Sequence, residues 1–231
     1  NIRNPTLRPW TADNFDLSFE YYTPQGGLLS AGVFRKDIAN FFGDSARIAD
    51  TALLNELGLD PRYLGWNVLT KFNSGDARIT GAEFNARHSL RILGRFGAPF
   101  TVFANATYLD LDGGPRAAFT SFVPKSGNWG ATFSNQRVSV TARWNYRGMD
   151  RRAPQAVFGP QGYEYYKERI TLDVNATYQL TRRLSLAASV NNLLNEPQTL
   201  LRYGPETPAY ARQFQETEYG IQLSLGLRGT F

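Results

Sequence analysis

Two segments, "RVSVTARWNYRG" (137–148) and "ERITLDVNATYQL" (168–180), alternate apolar and polar residues almost without interruption. In the first, Val138, Val140, Ala142, Trp144 and Tyr146 stand against Ser139, Thr141, Arg143 and Asn145. In the second, Ile170, Leu172, Val174, Ala176 and Tyr178 stand against Thr171, Asp173, Asn175, Thr177 and Gln179. A two-residue period puts one set on one face of a β-strand and the other set on the opposite face. The last stretch, "GIQLSLGLRGTF", repeats the pattern: Ile221, Leu223, Leu225 and Leu227 alternate with polar positions such as Gln222, Ser224 and Arg228.

The same reading along the chain predicts about nine strands, at 15–21, 28–41, 68–90, 100–111, 126–134, 137–148, 168–180, 184–194 and the terminal stretch. The connections alternate in length. "PQGG" (24–27), "LGRFGAP" (93–99), a two-residue "NQ" hairpin and "TRR" (181–183) are short, with turn chemistry. The stretches near 42–66, 112–124, 149–163 and 195–215 are long loops, the first with a short helix in "TALLNELGLDPR". An up-and-down meander therefore puts all short connections at one end and all long ones at the other. Transmembrane barrels sort their connections this way, and Greek-key sandwiches have no reason to.

Polarity agrees. In lipid an unpaired backbone group costs several kcal/mol, so only helices and closed barrels span. No run of about 18 apolar residues is present to make a spanning helix. Strands of about 10–12 residues suit the roughly 9–11 that a tilted crossing needs. The expected fold is thus all-β, an antiparallel up-and-down transmembrane β-barrel. Asp16, Glu20, Glu83, Arg143 and Asp173 fall on the polar, lumen-facing side. Ile221, Leu223, Leu225 and Leu227 fall on the lipid side, with Trp144, Tyr146, Tyr178 and Phe231 as an interfacial girdle. The competing reading of those aromatics is the core of a soluble β domain.

Composition removes most chemistry. There is no cysteine and a single histidine, His88, so thiol nucleophiles, disulfides and two-His metal sites are excluded within the chain. The carboxylates of "LDLDGG" (109–114) lack the further ligands of a calcium loop. No phosphate loop or nucleophile elbow is present, so neither an enzyme nor a cofactor is expected. The net charge is +5, but the 25 Lys and Arg residues are scattered, which argues against nucleic acid.

Five stretches, in order, resemble the C-terminal part of a TonB-dependent outer-membrane receptor. "NPTLRPWTADNFDLSFEYY" (4–22) is similar to the family's N-P-x-L-x-P-E segment, with Trp10 in place of Glu and Ser18 in place of a later Gly. "LLSAGVFRKDIANF" (28–41) carries F-x-K-x-I, and "NSGDARITGAEFNA" (73–86) carries Asn73, Gly75, Ala77, Gly81 and Glu83 in the N-x-G-x-A-x-x-x-G-x-E pattern. "VNNLLNEP" (190–197) resembles N-L-F-N with Leu194 for Phe, and Phe231 matches the usual last residue.

The resemblance implies a 22-strand barrel around an N-terminal plug, with this chain supplying about its last nine strands. A nine-strand sheet leaves two open edges, so a longer protein with upstream strands and plug is expected. The implied function is active uptake of a scarce ligand (siderophore, cobalamin, glycan or similar) across the bacterial outer membrane. The implied partners are outer-membrane lipid and lipopolysaccharide, the plug, the TonB energy-coupling complex acting through the plug, and the unknown small ligand. The barrel-assembly machinery would read Phe231. Ligand contacts are expected from the long loops, with Trp66, Arg151, Arg152, Tyr163, Arg202 and Tyr210 as candidates. The alternatives are a passive porin-like or structural barrel and a soluble all-β binding module.

Overall fold

The computed structural model describes residues 6–113, 122–159 and 161–229. Its strands are β1 (Thr11–Tyr22), β2 (Leu28–Ile48), β3 (Asn67–Ser89), β4 (Phe100–Gly113), β5 (Lys125–Ser134), β6 (Val138–Arg147), β7 (Asp150–Pro154), β8 (Tyr163–Tyr166), β9 (Arg169–Gln179), β10 (Leu184–Asn191), β11 (Gln198–Tyr203), β12 (Gln213–Thr217) and β13 (Gln222–Gly229). Nine of them form one sheet in the order β1-β2-β3-β4-β5-β6-β9-β10-β13. These nine coincide with the nine expected strands. Each is the sheet neighbour of the next wall strand in sequence, which is an up-and-down meander with β1 and β13 as open edges.

Cross-strand register keeps the two faces chemically apart. Across β6 and β9, Val140 meets Ala176, Ala142 meets Val174, Trp144 meets Leu172 and Tyr146 meets Ile170. The intervening rows pair Thr141 with Asn175, Arg143 with Asp173 and Asn145 with Thr171. β10 and β13 continue the apolar rows through Leu186–Leu227, Ala188–Leu225 and Val190–Leu223. A one-residue slip would move every apolar side chain to the other face, so this agreement fixes the register.

Among the described residues the apolar row of β13 has little protein against it. Leu223, Leu225 and Leu227 are 63%, 70% and 71% exposed. The polar face is instead knitted within the wall. Asn105 and Asn128 exchange amide hydrogen bonds at 3.0 Å, the hydroxyls of Thr132 and Thr141 lie 2.9 Å apart, and Asn145 donates to Asp173 at 2.8 Å.

The chain divides into two compact units. One comprises Asn1–Phe15, Arg35–Thr80 and Leu111–Ala118. It contains the helix α1 (Thr51–Leu57), capped by Asp50, whose carboxylate accepts from the Leu53 amide at 2.7 Å. Gly58 ends α1 in the left-handed region at φ 62°. Ala49, Leu53, Leu54 and Val68 form a small core there, with Leu57, Leu59 and Tyr63 packed on it. The other unit comprises Asp16–Phe34, Gly81–Asp110 and Phe119–Phe231.

Four connections differ from expectation. The "NQ" hairpin is a three-residue turn, because Asn135 accepts from the Arg137 and Val138 amides through Oδ1 and so pulls Arg137 out of the strand. The expected turn at 93–99 begins inside a 3-10 segment, Leu90–Phe96. The stretches 149–163 and 195–215 are not irregular loops. Together with the residues just after each, they supply β7, β8, β11 and β12, a second sheet in the order β12-β11-β8-β7.

Candidate functional site

The second sheet is made from the two long connections that interrupt the wall, β6 to β9 and β10 to β13. Its central pair, β8 and β11, joins one connection to the other through Leu200–Tyr166, Leu201–Tyr165, Arg202–Glu164 and Tyr203–Tyr163. β7 adds to β8 through Asp150–Tyr166 and Arg151–Tyr165, and β12 adds to β11 through Thr199–Glu216 and Leu200–Gln215. Neither hairpin would be stable alone; four strands sharing a face are.

Aromatic rings and guanidinium groups alternate on this sheet. The rings of Tyr165 and Tyr203 stack at 4.4 Å, and Tyr163 lies edge-on to Tyr165 at 6.4 Å. Burial raises the Tyr165 phenol above the ordinary tyrosine range, and the neighbouring Tyr203 adds to the shift. Arg151 lies over Tyr163 at 4.9 Å, Arg152 over Tyr166 at 5.1 Å, Arg212 over Tyr203 at 4.8 Å and Arg202 over Phe214 at 3.4 Å. Each such contact contributes about 0.5–1 kcal/mol at exposed positions and more when dry. Arg202 also donates to Glu164 through Nε at 2.7 Å, with Nη2 at 2.5 Å from the same oxygen.

One carboxylate anchors the sheet to the wall. Asp150 is fully buried and accepts from Arg147 at 2.6 Å, with Arg152 at 3.6 Å. Its Oδ1 and the Nη1 of Arg169, the register partner of Arg147, are buried without a hydrogen-bond partner among the described residues.

A second clasp lies at "NNLLNEP" (191–197). Asn192 adopts φ 53°. Its backbone amide donates to Asp173 at 2.9 Å. Its side-chain amide donates to the Glu196 and Gly220 carbonyls at 3.1 and 3.3 Å, and its Oδ1 accepts from the Glu196 amide at 3.0 Å. Asn tolerates the left-handed region because its short side chain bonds locally. Asn192 thus ties the end of β10 to the start of β13.

A model of the β-barrel of TonB-dependent receptor-like proteins matches residues 1–193. The chain belongs to this family. Such receptors reside in the bacterial outer membrane, and so does this chain. It is 26% identical over 213 residues to the iron-regulated outer membrane virulence protein of Vibrio cholerae serotype O1, covering 87% of this chain and 30% of that protein. The chain therefore spans about a third of the length of the relatives it matches. The copper transporter OprC superposes on 98% of this chain and 32% of its own, with a TM-score of 0.69 at 17% identity. The ferric enterobactin receptor of Pseudomonas aeruginosa covers 96% of this chain and 31% of its own, with a TM-score of 0.66 at 17% identity. The ferripyoverdine receptor of the P. aeruginosa outer membrane gives 0.61 at 15% identity, covering 96% and 27%. At these identities the likeness is one of fold: a partial TonB-dependent receptor barrel, its sheet open at β1 and β13.

Within this TonB-dependent receptor barrel segment, Arg151, Arg152, Tyr163 and Arg202 come together on the second sheet. Tyr210 lies in a 3-10 turn, Ala209–Ala211, between β11 and β12 and is 90% exposed. Trp66 belongs to the other unit, edge-on to Tyr63 at 5.3 Å. Tyr165, Tyr203, Glu164, Arg212, Phe214 and Asp150 were not anticipated. The alternation of "YEYY" (163–166) and "QTLLRY" (198–203) carried the signal, but nearby Pro and Gly favoured a loop reading.

On the wall, Arg143 and Asp173 are cross-strand neighbours on the polar face, and Arg143 lies over Phe103 at 5.6 Å. Glu20 accepts from the Tyr22 hydroxyl at 2.5 Å, and Asp16 occupies the same face of β1 by alternation. Glu83 shares its face of β3 with Gly81. Trp144, Tyr146, Tyr178, Leu223, Leu225 and Leu227 lie on the apolar face, with Ile221 immediately before β13. Phe231 lies outside the described residues.

Proposed function

We propose that this chain is the C-terminal barrel segment of a receptor that takes up a scarce, anionic ligand actively across the outer membrane. The observation that carries this reading is the second sheet. Two long connections spend about a fifth of the chain building an ordered arginine–aromatic surface rather than a lipid-only rim. Four guanidinium groups laid on aromatic faces suit a ligand with delocalised or multiple negative charge, such as an iron chelate. The chain itself performs no covalent chemistry. Its polar face meets the plug, its apolar face meets lipid, and the TonB complex acts through the plug upstream.

The test is uptake of radiolabelled ferric chelates by cells producing the whole receptor, with and without the energy-coupling partner. Saturable uptake that stops without that partner is expected. In Arg151→Ala/Arg202→Ala cells, half-saturation should rise about tenfold with insertion unchanged. Uptake that is linear in concentration and indifferent to coupling would show a passive porin-like barrel instead.

A further inference from the structure

The two faces of the second sheet differ in charge balance. Register puts Arg151 opposite Tyr165 and Tyr163 opposite Tyr203, so these four residues share one face. Asp150 stands opposite Tyr166 and Glu164 opposite Arg202, which makes the other face. On that other face the cations are already neutralised. Arg202 donates to Glu164 at 2.7 Å, and both side chains are largely covered. Arg152 lies 3.6 Å from the buried Asp150, which also accepts from Arg147 at 2.6 Å. An anion brought to Arg202 or Arg152 meets Glu164 or Asp150 as well, and like-charge repulsion cancels much of the attraction.

The tyrosine face has no such compensation. Among the described residues neither Arg151 nor Arg212 has a carboxylate partner; Arg212 donates instead to the Thr207 carbonyl at 3.1 Å. The Arg151 guanidinium covers Tyr163 at 4.9 Å, and that of Arg212 covers Tyr203 at 4.8 Å. The Tyr165 ring lies between, 6.4 Å from Tyr163 and 4.4 Å from Tyr203. Three half-buried rings thus form a row with an uncompensated cation at each end. Leu201, opposite Tyr165, adds to its apolar middle. Burial holds the Tyr165 phenol above its ordinary range, so this central ring stays neutral at physiological pH.

We propose that the Tyr163–Tyr165–Tyr203 row binds a flat apolar body bearing an anionic group at each end, one on Arg151 and one on Arg212, while Arg152 and Arg202 only hold the sheet together. This rests on the second sheet being the recognition surface, and narrows its ligand from an anion to a dianion with a planar middle. The ring beneath each guanidinium fixes its plane and shields one side, leaving the fork of N–H donors free for a carboxylate-like group at little further ordering cost. The weaker uptake expected of Arg151→Ala/Arg202→Ala cells then traces to Arg151.

The test uses the whole receptor in mild detergent and two fluorescent probes, trans-stilbene with a carboxylate at both para ends and trans-stilbene with one. They share the flat body and differ by one charged end. Wild type should bind the dicarboxylate at least fivefold more tightly. Arg151→Gln and Arg212→Gln should each lower the dicarboxylate to the affinity of the monocarboxylate, and Arg151→Lys should restore part of the preference. Arg152→Gln should keep the wild-type ratio. So should Arg202→Gln/Glu164→Gln, which leaves no orphaned charge, although its hydrogen exchange in β8 and β11 should quicken. Tyr165→Ser should weaken both probes alike. No binding of either probe by wild type, equal affinity for the two, or equal loss of preference in all the arginine variants would overturn the proposal. Coupled uptake of ferric chelates by a receptor with no probe preference would overturn this proposal alone. Dicarboxylate preference in a receptor whose uptake ignores coupling would instead overturn active uptake and bear out the site.

Discussion

Gly81 is the residue whose role is most sharply defined by its surroundings. A Cβ there would lie 2.4 Å from the Phe34 ring and 3.0 Å from Leu109, so β2, β3 and β4 share a space only a hydrogen fills. Gly81→Val should destabilise the barrel by about 1–3 kcal/mol through overpacking, read as a lower unfolding temperature on unheated gels. Phe34→Leu in the same chain should recover part of the loss; no recovery would place the strain elsewhere. Asp150 makes a different demand. Asp150→Asn keeps its shape and removes the charge opposite Arg147, whose hydrogen bond of 2.6 Å is of the kind worth about 1.5–3 kcal/mol. Hydrogen exchange should quicken in β7 and β8 and stay unchanged in β9 and β10. Uniform protection across all four would show that the carboxylate does not anchor the second sheet. Neither role is visible in sequence. Gly81 is found through a resemblance, but its neighbour Phe34 is 47 positions away, and Asp150 sits between Pro- and Gly-bearing stretches that read as loop.

For the strands, face is the property that matters. Val140→Arg and Leu223→Arg put a guanidinium on the apolar rows, at a cost of roughly 2–4 kcal/mol at the bilayer midplane. Thr141→Arg and Ser224→Arg put the same group on the polar rows. Folded yield in the outer membrane should collapse for the first pair and hold for the second; equal yields would contradict the assignment of faces. All nine wall strands were legible because each runs to eight residues or more, with apolar and polar residues alternating along much of it, and needs no partner to be recognised. β7, β8, β11 and β12 were not, because each has six residues or fewer and owes its order to pairing between distant connections. Short apolar runs are ambiguous until their partners are known. The same limit explains the candidate contacts. Arg151, Arg152, Tyr163 and Arg202 were named as candidates by type and loop position, whereas the stack of Tyr165 on Tyr203 depends on a register that only the sheet reveals.

At the scale of the molecule, two open edges set the conditions for stability. β1 is exposed at all 12 positions and β13 at all eight, and unpaired strand edges have no place in a hydrocarbon core. The segment produced by itself should remain unfolded or aggregate in membranes and show no heat-dependent gel shift. Supplying the remaining strands in trans should restore one; a shift from the segment alone would mean that it closes without them. Removing Phe231 should reduce the inserted amount while leaving the ligand affinity of the inserted fraction as it was.

The pairing of β8 with β11 has a consequence for how such receptors diversify. The arginine–aromatic sheet is shared between two separate connections, each supplying half of its central hydrogen-bonded ladder. A transplant of residues 149–168 into a related barrel would carry Arg151 and Tyr163 without the strand that orders them. Changing specificity by recombination therefore requires both insertions to move together, and pairs inherited as a unit should outnumber mixed ones.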